Sequence, residues 1–283
     1  MSMIRLTLLM GLLTLLLVFL GGMLFGESGA ILALIFSAAM NLFSYWNSDK
    51  IVLRMYNATE VDDRSAPELM AIVRELAGRA RLPMPRVYII ESPMANAFAT
   101  GRDPEHAAVA VTTGILSILN RSELEGVIAH ELGHIRNRDI LIGTIAAVLA
   151  GAISMLAQMG QWSLFFGGYN DEDEGVNPIF AILAIILMPI AAMLVQMAIS
   201  RSREYKADET AASLTHNPLG LAHALRKLAT ATEQLPAGNV NPATSHLFIV
   251  NPLSGSSLRS LFSTHPPIEE RIARLERMGL HRA

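Results

Sequence analysis

The chain has 283 residues, of which 52% are hydrophobic and 17% charged, with a formal net charge of −3 and a mean hydropathy of +0.39. Soluble domains carry about a quarter charged residues, so part of this chain belongs in lipid, and its mild acidity offers no footprint for nucleic acid. Cysteine is absent, which excludes disulfides, thiolate ligands and cysteine nucleophiles and leaves His, Asp and Glu to hold any metal.

In chain order, the first features are two apolar runs without a charged side chain, Leu6 to Gly26 and Gly29 to Trp46, separated by Glu27 and Ser28. Two further runs lie at Ile140 to Trp162 and Asn177 to Ser200. A spanning helix needs about 20 mainly apolar residues, so each run is long enough, and the four read as two transmembrane hairpins. Loop charges orient them. Arg5, Lys50, Arg54, Arg136, Arg138, Arg201, Arg203 and Lys206 flank the spans on one side, whereas Asp171 to Glu174 lie between the last two with no base. The positive-inside rule then puts both termini and both hydrophilic stretches in the cytoplasm of a multi-pass membrane protein.

The expected organisation is a transmembrane hairpin at 1–48, a cytosolic part at 49–138, a second hairpin at 139–200 and a helical cytosolic part at 201–283. Within 49–138, Leu69, Ile72, Val73 and Leu76 recur at helical spacing, predicting a helix from Ser65 to Arg81. Val87 to Ile90 and Ala107 to Thr112 read as strands, with Ala95 to Thr100 as an edge between them. Ser122 and Glu125 have the spacing of a capping box that opens the next helix. In 201–283, His216-Asn217-Pro218 breaks one helix and Leu219 to Thr232 forms another. A Pro/Gly/Asn/Ser-rich loop follows from Pro236 to Ser257. A last helix starts near Pro267 and ends before Gly279. The fold class is mainly α with a small β-sheet.

On the capped helix stands His130-Glu131-Leu132-Gly133-His134. Positions i and i+4 of a helix lie about 40° apart, so both imidazoles share a face and can converge on one ion. Zinc held this way lowers the pKa of a water, and Glu131 is placed to take its proton. A catalytic zinc needs a third protein ligand, for which Glu204 is the best candidate. Asp208, one turn on, can hold the other N–H of a ligand histidine. With continuous helices at about 1.5 Å per residue, His134 and Glu204 lie roughly 9 and 6 Å from the bilayer on the same side, because a hairpin separates them.

With these residues, Asn96-Ala97-Phe98-Ala99-Thr100-Gly101, and Ser263-Thr264-His265-Pro266-Pro267 followed by Arg271, the chain resembles the HtpX family of membrane zinc proteases. These are gluzincins related to the CAAX prenyl protease, and the resemblance extends over essentially the whole chain. It implies a cytosolic gluzincin-type protease domain with one zinc bound by His130, His134 and Glu204, and Glu131 as general base. It implies that Asn96, Ala97, Phe98 and Ala99 form an edge strand on which extended substrate lies. It assigns His265 to the oxyanion and Arg271 to its support. It also implies quality control of misfolded or damaged membrane proteins at the cytosolic face of the bacterial inner membrane.

Other classes are weighed on the residues alone. A transporter needs polar groups near the bilayer midplane, and the spans offer only scattered ones such as Asn41 and Gln196. A catalytically dead scaffold has no need of Glu131. A metallohydrolase of lipid or small molecules stays open, because H-E-x-x-H specifies activated water better than the bond attacked. His106, His216, His223, His246 and His281 read as surface or structural residues, and the methionines of the spans as packing. Self-cleavage is expected in the polar loop at 236–257.

Overall fold

The structure is a computed structural model that describes residues 2–148, 201–234, 247–249 and 266–280. Helix α1 spans Ser2–Met55 and is broken at Gly26, whose φ of 66° folds the chain back on itself. The Asn41 carboxamide donates to the Thr14 hydroxyl at 3.0 Å. A Cβ on Gly21 would lie 2.5 Å from the Gly29 carbonyl oxygen, so the small residue allows the two arms to meet. The expected first hairpin is therefore present. Its outer surface carries Leu15, Phe19, Leu32, Phe36 and Phe43, each at least 60% exposed, an apolar patch of the kind that marks a contact with lipid or another protein.

Among the described residues, one helix, Gly26–Met55, is long and apolar enough to cross a bilayer; Met10–Met23 is a shorter apolar stretch. Residues 149–200, with most of the two later expected spans and the acidic loop, lie outside the described residues. The described start of the third run, helical residues 140–148 (α5), is packed in protein: Ile140, Ile145 and Ala147 are buried.

The second arm of α1 runs past residue 48 to Met55, where Val52 and Leu53 pack on the sheet. That sheet comprises β1 (Thr59–Glu60), β2 (Arg86–Ile90), β3 (Ala97–Gly101) and β4 (Ala107–Thr112), in the order β1-β2-β4-β3. The β2–β4 pair is parallel, and the outer pairs are antiparallel. Alternation sorts the side chains. Val87, Ala97, Ala99, Val109 and Val111 join the main core, while Tyr88, Ile90, Phe98, Ala108 and Ala110 meet the end of α1 and α5. The strand β1 is absent from the sequence reading, since at two exposed residues it has no alternation to detect, and so are the short helical segments Pro104–His106 and Thr113–Ile118.

Helix α2 (Pro67–Ala80) begins two residues later than expected. The Asp62 carboxylate ties residues 62–65 into a turn by accepting from the Arg64 and Ser65 backbones, and Pro67 takes the first helical turn. The short helix α3 (Thr113–Ile118) leads to α4 (Arg121–Arg136). The capping box of α4 is Asn120 with Glu123, not Ser122 with Glu125: each side chain accepts from the other's backbone N–H, at 3.0 and 2.9 Å. Glu125 pairs instead with Arg121, and the Ser122 hydroxyl accepts from Asn217.

The C-terminal part supplies α6 (Arg201–Thr215), α7 (Pro218–Gln234) and α8 (Ile268–Leu280). His216 in the left-handed region (φ 55°) makes the break before Pro218. Gly279 falls inside the last turn of α8 and does not stop it. The central helix is α4, buried along Leu124, Val127, Ile128, Leu132 and Ile135. A Cβ on Gly126 would lie 2.6 Å from the Leu221 backbone nitrogen, so this glycine permits the close approach of α7.

Candidate metal centre

His130 and His134 occupy one face of α4, and Glu204 comes from the first turn of α6. Their Nε2 atoms lie 3.2 Å apart; the Glu204 carboxylate is 3.6 Å from each. Zinc–ligand bonds of about 2.0–2.2 Å in a tetrahedron require ligand atoms about 3.4 Å from one another. The three side chains therefore fit the edges of one zinc tetrahedron, with its fourth corner left for water or substrate. Gly133 makes this convergence possible: a Cβ there would come 3.2 Å from Ala207 Cα, the residue between Glu204 and Asp208 on α6.

Both histidines are held from behind. His130 Nδ1 lies 2.9 Å from Asp208, and His134 Nδ1 lies 3.2 Å from Asp139. With Nδ1–H spent on a carboxylate, each Nε2 is left as the metal-binding lone pair. Asp208 is the group the sequence singles out. Asp139 is missed there, lying unremarked at the boundary between 49–138 and 139–200. Arg138 has φ 57°, and this left-handed residue turns the chain so that Asp139 reaches back to His134. A carboxylate five residues beyond the second histidine is the signal that was available.

Arg271, fully buried on α8, donates through Nε and a terminal nitrogen to the two Asp208 oxygens at 2.9 and 2.6 Å and lies 3.6 Å from Glu204. Burial alone would raise the Asp208 carboxyl, but Arg271 and His130 hold it below its ordinary range. Burial works to lower the His134 pKa, yet Asp139, Glu204 and Glu131 together push it up to about 10 without a metal. Burial raises the Glu131 carboxyl above its ordinary value, opposed by the two histidines. A buried carboxylate poised upward suits proton transfer.

Glu131 points at the sheet edge, where its carboxylate accepts from the Ala99 N–H at 2.8 Å. The register decides what else that edge offers. The Asn96 carbonyl accepts from Thr112, so Phe98 and Thr100 face β4, and the backbone groups of Ala97, Ala99 and Gly101 face outward. Gly101 N–H donates to the Thr144 hydroxyl of α5. Ala99 lines the cleft beside the histidines, whereas Ala97 is buried. The Asn96 carboxamide faces the chain's own Leu247–Ile249: it accepts from the Ile249 N–H at 3.1 Å and donates to the Leu247 carbonyl at 3.4 Å. His265 lies outside the described residues.

Residues 63–279 match the model of peptidase family M48. A "Protease HtpX homolog" from Syntrophotalea carbinolica is 59% identical over 280 residues, covering 98% of this chain and 99% of the relative. Another so named, from Pyrococcus furiosus, is 56% identical over 98% of this chain and 96% of its own length. The crystal structure of S. mikatae Ste24p superposes with a TM-score of 0.51 at 19% identity, over 97% of this chain. The chain spans 65% of that structure's length. The fold, with its small mixed sheet beside the histidine helix, is of the Ste24p kind.

Proposed function

The chain belongs to peptidase family M48, and from that premise we propose that it is an integral-membrane zinc endopeptidase. The observation that carries the reading is the set of ligand separations among His130, His134 and Glu204, which suits one zinc ion and leaves a corner open beside Glu131. Bound there, zinc supplies the acidification of a water and the polarisation of the scissile carbonyl. Glu131 takes the proton from the attacking water and returns it to the leaving amine. Its bond to Ala99 fixes that carboxylate against the strand on which substrate lies.

An extended polypeptide pairs with the outward groups of Ala97 and with the Ala99 carbonyl by strand addition, the Ala99 N–H being held by Glu131, with Asn96 and Phe98 framing the strand. His265 stabilises the oxyanion. Arg271 acts at one remove, by holding Asp208 against His130. The acidic loop at 171–174 lies outside and the zinc site lies in the cytosol, as the loop charges suggest. The substrates are misfolded or damaged membrane proteins and other unfolded chains, cut at the inner face of a bacterial membrane during stress.

The test is hydrolysis by detergent-solubilised protein, read beside its zinc content. Glu131→Gln is expected to retain about one zinc and lose activity by 10²–10⁴-fold, the usual worth of a general base. Glu204→Ala is expected to lose the zinc itself. An active Glu131→Gln protein would sink the peptidase mechanism, and equal zinc in Glu204→Ala would remove the third ligand.

A further inference from the structure

The cleft that exposes His130, Glu131, His134 and Glu204 is also lined by Leu247, Phe248 and Ile249. These three residues stand far from the site in sequence, and no motif points to them. All are buried: Leu247 at 8%, Phe248 at 8% and Ile249 at 3% exposure. Leu247 packs with Val52, Tyr88 and Phe98 on one face of the sheet, and Ile249 joins the main core on the other. The tripeptide therefore wraps the edge of the sheet at the start of β3. Its two ends are clasped by the Asn96 carboxamide, which is itself 2% exposed. Removing the segment would leave a buried amide without the partners it has here, which is costly. A segment anchored in two cores and by a buried side chain is a fixed wall, not a removable plug.

We infer that Leu247-Phe248-Ile249 is the specificity-determining wall of the cleft, selecting a large apolar substrate side chain beside the scissile bond, and that Asn96 is the positioning residue that holds it there. This rests on the peptidase reading above and names its substrate class. The opposite end of the edge is closed by Thr144, whose hydroxyl lies 3.1 Å from Thr100 Oγ1 and accepts from Gly101. Between wall and stop, the edge meets the cleft at Phe98 and Ala99. The rest of the lining is Phe98, Ala99, Ile140 and Gly143, together with Asp139 and Arg203, which face each other at 3.9 Å. Against Leu247, Phe248, Ile249 and Phe98 a substrate charge would be desolvated, whereas an apolar side chain would exchange water for contact.

The experiment is cleavage-site profiling of the full-length, zinc-loaded protein in detergent on a peptide library, with sites read by mass spectrometry. Wild type is expected to enrich large apolar residues at one position flanking the cut. Phe248→Ala is expected to shift that position toward bulkier side chains, and Phe248→Asp toward Lys and Arg, each by roughly tenfold in relative kcat/KM. Asn96→Ala is expected to flatten the preference while zinc content is retained. Asn96→Gln, which keeps the carboxamide, should restore part of it. Phe248→Trp supplies a second conservative variant should Phe248→Asp fail to fold; it is expected to favour smaller apolar residues. One unchanged profile across the soluble, zinc-bound variants would overturn the wall. So would faster cleavage of every peptide by Phe248→Ala without a change of profile, which would make the segment a plug. Failure of the peptidase reading looks different: zinc-bound wild type would cut nothing.

Discussion

Asp139 is the residue whose placement adds most to the metal site. Its carboxylate lies 3.2 Å from His134 Nδ1, and with Glu204 and Glu131 it outweighs burial and raises the imidazole pKa to about 10. In the metal-free protein a raised histidine stabilises the fold fully below its unfolded pKa of about 6.5, and that contribution is lost as pH climbs through the folded value. Zinc must displace that proton, so affinity should rise with pH between about 6.5 and 10. Asp139→Asn keeps the shape of the side chain but removes its charge. It is expected to weaken zinc binding by about 10–100-fold, as loss of such partners usually does, and to make the binding less steep in pH. Competitive titration with a chelating dye at several pH values reads both effects. Unaltered affinity and slope would show that His134 is oriented by something else.

Residues of this kind mark how far the sequence could be read. His130, Glu131 and His134 were legible because a five-residue helical spacing contains their geometry. Glu204 and Asp208 were legible from their spacing of one helical turn and from the hairpin expected between them and the histidines, most of which lies outside the described residues. Asp139 was not, since its reach depends on the left-handed turn at Arg138, and Arg has no particular preference for that conformation. The clasp between Asn96 and residues 247 and 249 was illegible for a different reason. It joins positions about 150 residues apart, and neither side carries a periodic pattern.

At the scale of elements, α4 does two jobs with two glycines. Gly126 lets α7 approach at its N-terminal half, where an added Cβ would meet the Leu221 nitrogen at 2.6 Å. Gly133 faces Ala207 of α6 at a looser 3.2 Å. The first contact is with backbone that cannot give, so Gly126→Ala is expected to cost stability in the upper range of overpacking, about 1–3 kcal/mol or more. Gly133→Ala should cost less stability but shift α6 by a few tenths of an ångström, separating Glu204 from the histidines. Its signature is weakened zinc binding at near-normal thermal stability in the metal-free state. Melting curves with chelator, paired with zinc titrations, separate the two; if Gly133→Ala binds zinc like wild type, the spacing of α4 and α6 does not set the site. The start of α4 shows a smaller lesson. Two overlapping candidates for a capping box lie at 120–125; Asn and Ser cap about equally well, and the structure uses Asn120 with Glu123, which is tied also to Lys227, while Ser122 is engaged by Asn217.

For the whole molecule, the family resemblance read from the motifs is borne out by the M48 match and the HtpX homologs. The hairpin within α1 also came through, because uninterrupted apolar runs need no tertiary context to be recognised. Residues 140–148 have the composition of a span and are also packed against the sheet, whose edge they close through Thr144. Buried protein and lipid select the same side chains, so hydropathy alone cannot separate them. The orientation rests on the asymmetry between the basic flanks and Asp171 to Glu174, and it can be measured directly. The chain has no cysteine, so a single introduced thiol is an unambiguous reporter. In intact cells a membrane-impermeant maleimide is expected to label Asp173→Cys, on the acidic loop, and to spare Asp63→Cys, in the exposed turn before α2. After lysis both should react. Labelling of Asp63→Cys in intact cells would invert the topology and put the zinc site outside. Equal protection of both would mean that no hairpin carries 171–174 across the membrane, and the histidine helix and Glu204 would then meet by protein packing alone.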